Sequence, residues 1–563
     1  MMDKRTIWVV IACLLALFGW QFLINRFFPA TKLPPKAASQ TTGTNSVPAQ
    51  TAISSPPTNT AAATASPAPA APGGPLPPEQ LIELSNHFVR VAFTSWGGGV
   101  RSVELLQYKA ALGGSNVVLD SESAVPGLAL TDPPDTNIAY ELQQTGPTSI
   151  VMRARLATGA TVVKQVSLGG AYLLSGDVRI SGQPASATAT QSATFAVGTV
   201  GPTAGREAQQ VYLGVDWLAD GKYQNRPLKQ LWKNAGQNIF GEPVNANWAA
   251  VKSQFFTMIF TPGSNALAVE YQPLHLPAPA GWSAKVPSDG LSAALVMPPT
   301  SSTNGVADYA FTYYAGPKEY DRLVALGASQ EDVMQFGFWG VISVVLLKSM
   351  KFFHGLVPNY GVDIIIITVL IKLFFWPIQA KSIRSMREMQ KFQPLMNKLR
   401  EKYKDDPQRL NQEMMKLYKE HKINPFSGCL PMLVQLPVLF AFYRMLGSAV
   451  ELRQASFLWI RDLSLPDTVA HLGTLPVNIL PIAMLGSSIW QMKLTPQTGD
   501  QQQQKMMMFM PVMMIFIFYR LASGLLLYYT VQQILSVAQQ WWMLKNSKTS
   551  PPAGKPLPAG KPR

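Results

Sequence analysis

The stretch Ile364-Ile365-Ile366-Ile367-Thr368-Val369-Leu370-Ile371-Lys372-Leu373-Phe374-Phe375-Trp376 decides what kind of chain this is. It sits in an apolar run over 362–379 which, as a helix rising 1.5 Å per residue, measures about 27 Å, close to the hydrocarbon thickness of a bilayer. The cation inside that run is Lys372. An ionised lysine at such depth costs about 2.5 to 3.5 kcal/mol on insertion scales, so it is expected to face a bundle interior or a wet cavity rather than lipid. Snorkelling is the competing reading, but about 13 Å of helix separates Lys372 from Lys381 and the side chain reaches about half of that. Thr368, one turn earlier, projects from the same face.

Four further apolar segments follow, at 428–447, 476–494, 506–521 and 523–543, and one precedes, Thr6 to Ile24, flanked by Lys4-Arg5. That gives six spans, five of them in a core over 361–544. The first run ends in Phe18-Gly19-Trp20 without a small-residue cleavage site, so 1–29 reads as an uncleaved anchor. From 30 to 78 the chain is rich in Pro, Ala, Ser and Thr with no aromatic residue, a composition that cannot offset its ordering entropy and reads as a disordered tether. Between 79 and 317 the pattern changes to short β-rich runs, among them Phe88 to Phe93, Ser149 to Leu156 and Tyr172 to Ile180, separated by Gly, Pro, Asn and Asp clusters; many such runs predict a large antiparallel β-sandwich. Helical periodicity takes over in 318–360. The expected fold is therefore a multi-domain membrane protein, a polytopic α-helical bundle joined to a large antiparallel β-sandwich.

Charge sets the orientation. Of 563 residues 47 are Lys or Arg and 32 Asp or Glu, a net +15, and hydrophobic residues make up 47%, too apolar a chain for an ordinary basic nucleic-acid binder; no DNA partner is expected. The stretch Lys381 to Lys422, inside a helical hairpin predicted over 381–424 with its turn near Asp405-Asp406-Pro407, carries 12 basic and 6 acidic residues; the tail 545–563 carries five basic and no acidic ones, and the loop 449–475 two and three. Positive charge stays on the cytoplasmic side, which places the hairpin, the tail and both termini inside and the β domain outside. The same parity makes the segment Val333 to Val357, interrupted by Lys348, Lys351 and His354, an interfacial helix rather than a span. An exported β domain then folds without disulfides, because the two cysteines, Cys13 and Cys429, lie in or beside spans.

Enzyme signatures are missing: there is no GxxxxGK[ST] phosphate loop, HExxH, GxSxG or paired-Cys metal spacing. No cofactor, metal or catalytic residue is expected. The polar residues of the spans, Gln435, Ser487, Ser488, Gln491, Tyr528, Gln532 and Gln533, line a groove with Lys372 or simply bond helix to helix. Met506, Met507, Met508, Met510, Met513 and Met514 form a flexible, polarisable surface suited to varied apolar partners, or plain lipid-facing filler. The hairpin and tail offer basic faces to anionic lipid or ribosomal RNA, with a solvated positive-inside face as the alternative.

The run from Ile364 through Lys372, the segments Asn424-Pro425-Phe426-Ser427-Gly428-Cys429-Leu430-Pro431 and Val450-Glu451-Leu452-Arg453-Gln454-Ala455, and Phe509-Met510-Pro511-Val512-Met513 with Ser523-Gly524-Leu525-Leu526-Leu527-Tyr528 resemble the YidC/Oxa1/Alb3 family of membrane protein insertases, most of all its Gram-negative bacterial members. The resemblance implies a β-supersandwich in the periplasm, an inner-membrane location, and a hydrophilic groove whose cation draws in the polar tail of a nascent membrane protein. It implies Lys372, Thr368 and Tyr528 as groove residues, with Lys372 where the family usually has Arg, a change that keeps the charge and loses the planar fork. By the same implication Leu436 on the third span contacts the client, and the third and fifth spans, the latter with Met510 and Met513, form a slide into lipid. Nascent membrane proteins, the Sec translocon and the ribosome are the partners it suggests. The alternative carried beside it is a membrane-tethered periplasmic carbohydrate-binding or sugar-modifying protein, against which the scarcity of histidine in the β domain counts.

Overall fold

The computed structural model describes residues 77–121, 123–182, 192–202, 211–235, 239–278, 288–299, 306–421, 430–472, 475–494, 511 and 513–546. The expected anchor at 1–29, all but the end of the tether, the tail beyond 546 and Met510 lie outside the described residues. The chain divides into two compact units, one within 30–334 and one that takes in everything from 335 on.

The first unit is built on two antiparallel sheets. One has four strands, Leu81–Ser85, Val89–Thr94, Gly99–Lys109 and Asn116–Leu119, in that order; the other has thirteen, beginning at Leu130 and closing with Val306–Pro317. Period-two burial explains the strand Thr161–Leu168, whose Val162, Lys164, Val166 and Leu168 turn inward while their neighbours face out. Ala193–Val200 and Gly214–Ala219 are instead buried at every position, because both of their faces are covered. Two short helices, α1 (Leu228–Ala235) and α2 (Tyr320–Leu326), complete the unit. Lys164, on the core face of its strand, is neutralised by Asp135 at 2.7 Å, and both side chains are almost wholly buried.

The second unit is helical: α3 (Gly340–His354), α4 (Tyr360–Lys391), α5 (Gln393–Lys402), α6 (Pro407–Glu420), α7 (Leu430–Ser448), α8 (Ile479–Leu494) and α9 (Ser523–Asn546). Asn359 caps α4, its side chain accepting from the amides of Gly361 and Val362 at 3.0 and 3.3 Å, and Asp363 in the first turn complements the helix dipole. The run expected as a span over 362–379 and the first leg of the expected hairpin are one continuous helix of 32 residues, about 48 Å long. Lys381 marks a change of environment and not a helix end; the helix stops only at Phe392, before Pro394 opens α5. The turn at Asp405-Asp406-Pro407 lies where it is expected, with Asp406 accepting from the Arg409 amide at 3.0 Å and Pro407 starting α6.

Two expected elements are shorter. The helix over 333–357 is reduced to a 3-10 turn at Gly337–Trp339 and the 15 residues of α3. The helix over 476–494 begins only at Ile479, because the preceding residues pair as a β-hairpin, Thr468–Leu472 with Leu475–Asn478. Among the described residues one helix, α4, is both long and apolar enough to cross a bilayer. With 24 residues, α9 has the length, but Thr530, Gln532, Gln533, Ser536, Gln539 and Gln540 dilute its hydropathy. All six of those polar residues are buried or half-buried, and Gln532 and Ser536 contribute to the site below.

Candidate functional site

Helices α4, α7 and α9 pack on one another, and each supplies polar side chains to their common interior. On α4 the residues Thr368, Lys372 and Gln379 fall within about 40° of one another around the axis, at 100° per residue. All three are buried; Lys372 is only 3% exposed. Its ammonium donates to Gln379 Oε1 at 2.5 Å and to Ser536 Oγ of α9 at 2.8 Å. Ser536 in turn donates to the Gln532 carbonyl at 2.8 Å, so its lone pairs are what face the lysine.

The network continues to α7. Gln532 Nε2 donates to Gln435 Oε1 at 3.2 Å, and Gln435 Nε2 donates to the Tyr528 hydroxyl. Tyr528 is fully buried, and its ring stacks on Phe442 with centroids 4.3 Å apart and planes 13° from parallel. Three of the four residues expected in the groove, Lys372, Gln435 and Tyr528, therefore belong to one hydrogen-bonded cluster. The fourth, Thr368, lies one turn from Lys372, but its hydroxyl is spent on the Ile364 carbonyl of its own helix at 2.6 Å. Gln379 and Ser536 were not singled out by sequence reasoning. The signal was periodic: Gln379 follows Lys372 by seven residues and Ser536 follows Tyr528 by eight, two turns along the same faces.

No carboxylate among the described residues pairs with Lys372; the ion pair of Lys351 with Glu451 at 3.0 Å and the hydrogen bond of His354 with Asp363 at 3.0 Å lie elsewhere in this unit. Two neutral acceptors use two of the three ammonium donors, and the third remains for another acceptor. Gln532 Oε1, Gln539 Nε2 and Thr530 Oγ1 are buried with no hydrogen-bond partner among the described residues. Of these, Gln532 belongs to the cluster, and such a group is costly in an apolar setting, so the cluster gains from a polar guest. Leu436, next to Gln435 on α7, is half-buried and Met513 is half-exposed, while Leu433, Phe440, Phe516 and Ile517 present apolar surface outward. Among the described residues no group of His, Cys, Asp and Glu is arranged to hold a metal.

Residues 81–349 match the family model described as YidC periplasmic domain, and residues 352–550 the one described as 60Kd inner membrane protein. A relative from Syntrophus aciditrophicus (strain SB), named Membrane protein insertase YidC, is 31% identical over 528 residues, which cover 89% of this chain and 91% of the relative. The chain belongs to the YidC family. A relative of the same name from Oleidesulfovibrio alaskensis is also 31% identical, over 526 residues with the same two coverages. A solved structure of an active YidC insertase covers 84% of this chain and 94% of its own at 17% identity, with a TM-score of 0.36. This YidC-family chain is thus an inner membrane protein with a periplasmic β-sandwich domain and a helical region. The two family models meet inside α3, whereas the compact units divide at 334 and 335. The contacts of α3 place it with the helical unit: Ser343 donates to the Ala441 carbonyl of α7 at 3.0 Å, and His354 stacks on Tyr360.

Proposed function

We propose that this chain works as a membrane protein insertase, not an enzyme, and that the cluster around Lys372 receives the polar tail of a nascent membrane protein. A polar tail crossing hydrocarbon must be desolvated, and a polar cluster between spans shortens the apolar path it has to cross. Burial of the client's own apolar segment in lipid then drives the step, so no nucleotide hydrolysis is required. The observation that carries this reading is a buried cation held by neutral acceptors alone, between helices that present apolar residues outward. Leu436 and Met513, with Met510, serve as the apolar slide by which the client helix leaves.

The proposed topology has six spans, the first in 1–29 and the others at 362–379, 428–447, 476–494, 506–521 and 523–543, with both termini, the hairpin and the tail cytoplasmic. The 15 residues of α3 measure about 22 Å, short of the roughly 30 Å hydrocarbon core, which supports an interfacial position for it. Phe338, Phe352 and Leu356 give this segment exposed apolar surface for that position. The hairpin helices α5 and α6 pack through Met396 and Leu417, with Met389 at the end of α4, and leave Lys398, Lys402, Lys404, Lys416 and Lys419 exposed. That basic face suits anionic lipid or a ribosome, and work beside the Sec translocon as well as alone belongs to the same proposal.

The test replaces Lys372 with Ala and with Arg in cells depleted of their own insertase and follows a short single-span client with an acidic exported tail. Lys372→Arg is expected to support insertion and Lys372→Ala to impair it; full activity of the alanine variant removes the cation from the mechanism.

A further inference from the structure

We infer that Gln379 and Ser536 are stand-in ligands for the client's acidic group, and that they set how strongly the insertase prefers acidic over neutral client tails. The inference rests on the reading that Lys372 meets the client, and it assigns to two further residues the control of that contact.

The two side chains hold the ammonium from different helices, Gln379 from α4 and Ser536 from α9. Both are neutral, and both present oxygen lone pairs. Gln379 does so through its amide carbonyl, and Ser536 because its own hydrogen is committed to the Gln532 carbonyl. The bonds from the ammonium to Gln379 and Ser536 already have a charged donor, but only a carboxylate adds the attraction between two full charges. Replacing Gln379 and Ser536 by a client carboxylate is therefore favourable, while replacing them by a client amide or hydroxyl exchanges one neutral acceptor for another. The resting ligands subtract nearly the same amount from every client, so that what remains discriminates by charge. A carboxylate at either position would abolish this, because a fixed anion beside the ammonium would satisfy Lys372 permanently. Among the described residues neither α4 nor α9 places one there; the carboxylates of α4 are Asp363 and Glu388, and α9 has none.

The role is one of positioning, and the test reads a ratio that a purely structural defect leaves unmoved. Full chains carrying Gln379→Glu or Gln379→Leu are assayed in depleted cells with two clients that share one apolar segment and differ only in whether the exported tail is acidic or neutral. Gln379→Glu is expected to lower the acidic-to-neutral insertion ratio by about tenfold, since the cation is then already paired with an anion. Gln379→Leu removes a competing ligand for both clients alike and is expected to leave the ratio within about twofold of the parent. The inference is overturned if Gln379→Leu lowers the ratio as far as Gln379→Glu does, or if Gln379→Glu leaves it within about twofold of the parent. Lys372→Ala in the same assay separates the two levels. If it leaves the ratio unchanged, the reading of the cation as the client contact fails, and the stand-in role fails with it. If Lys372→Ala collapses the ratio and Gln379→Glu does not, only the stand-in role is lost.

Discussion

An exported domain without a disulfide depends on its core, and among the described residues the β domain buries two ion pairs there, Lys164 with Asp135 and Lys252 with Asp216, of which the first is the more fully hydrogen-bonded. In the β domain Asp135 accepts from Lys164 Nζ at 2.7 Å, from the Tyr140 hydroxyl at 2.6 Å and from the Leu130 amide at 3.0 Å. Lys164 also donates to the Gly97 and Leu128 carbonyls at 2.8 and 3.2 Å. Lys164→Met keeps most of the stem volume and removes the cation, leaving a buried carboxylate with two donors. Stranding one partner of a buried pair costs about 3 to 5 kcal/mol. With a urea slope of at most about 3 kcal/mol per molar, the unfolding midpoint should fall by at least about 1 M. Urea unfolding of the full chain in detergent, followed by tryptophan fluorescence to which the fully buried Trp217 and Trp248 of this unit contribute, measures it.

The pH dependence has a definite sign. Burial already holds the Asp135 carboxyl above the usual carboxylate range against the pull of Lys164, and removing Lys164 lets it rise further. A folded-state pKa above the unfolded value means that the folded variant binds the extra proton. Its stability deficit is therefore full above the folded pKa and is relieved as pH falls toward the unfolded value near about 3.9. The gap between variant and parent should narrow from about pH 8 to about pH 5. Adding Asp135→Asn to Lys164→Met should recover part of the loss at neutral pH, because no charge is left stranded. A cost below about 1 kcal/mol, or a deficit that widens on acidification, would refute the assignment of a charged pair.

Further outcomes follow from single contacts. Tyr528→Phe keeps the stack on Phe442 and loses the bond from Gln435, so thermal inactivation in detergent should register a loss of about 1 kcal/mol, against about 3 to 5 for Tyr528→Ala; equal losses would mean that the hydroxyl carries the stability. Gly361→Ala should destabilise the helical unit by about 1 to 3 kcal/mol, because a methyl group there collides with the Phe457 ring, and pairing it with Phe457→Ala should restore most of that. Asn359→Ala should cost about 1 kcal/mol through loss of the α4 cap, read from the same inactivation curve.

The β-sandwich was legible in period-two runs such as Ser149 to Leu156 because those strands have one covered face. Ala193–Val200 and Gly214–Ala219, covered on both faces, carry no alternation to read. Lys372 announced itself by being charged in an apolar run, and Thr368 by its spacing from it. Gln379 did not, since a glutamine at the foot of a span looks like any boundary residue until the lysine is seen to reach it. The continuity of the helix through 381 was not legible for a related reason. Charge density reports where the membrane ends, whereas a helix ends where its backbone loses partners, here at Phe392. The pairing of Thr468–Leu472 with Leu475–Asn478 left no trace, because the two strands are short and the first is exposed throughout.

The central claim is that a client's polar segment passes along the Lys372 cluster, and site-specific photocrosslinking reads it most directly. A photoreactive amino acid is placed in turn at Leu436, at Tyr528 and, as a control, at Phe338, which is 90% exposed beside α3. Each variant is presented with ribosome-bound nascent chains of a single-span client. Adducts from Leu436 and Tyr528 that depend on the client's apolar segment, with none from Phe338, are the predicted result. Adducts from Phe338 with none from the two cluster positions would contradict the account.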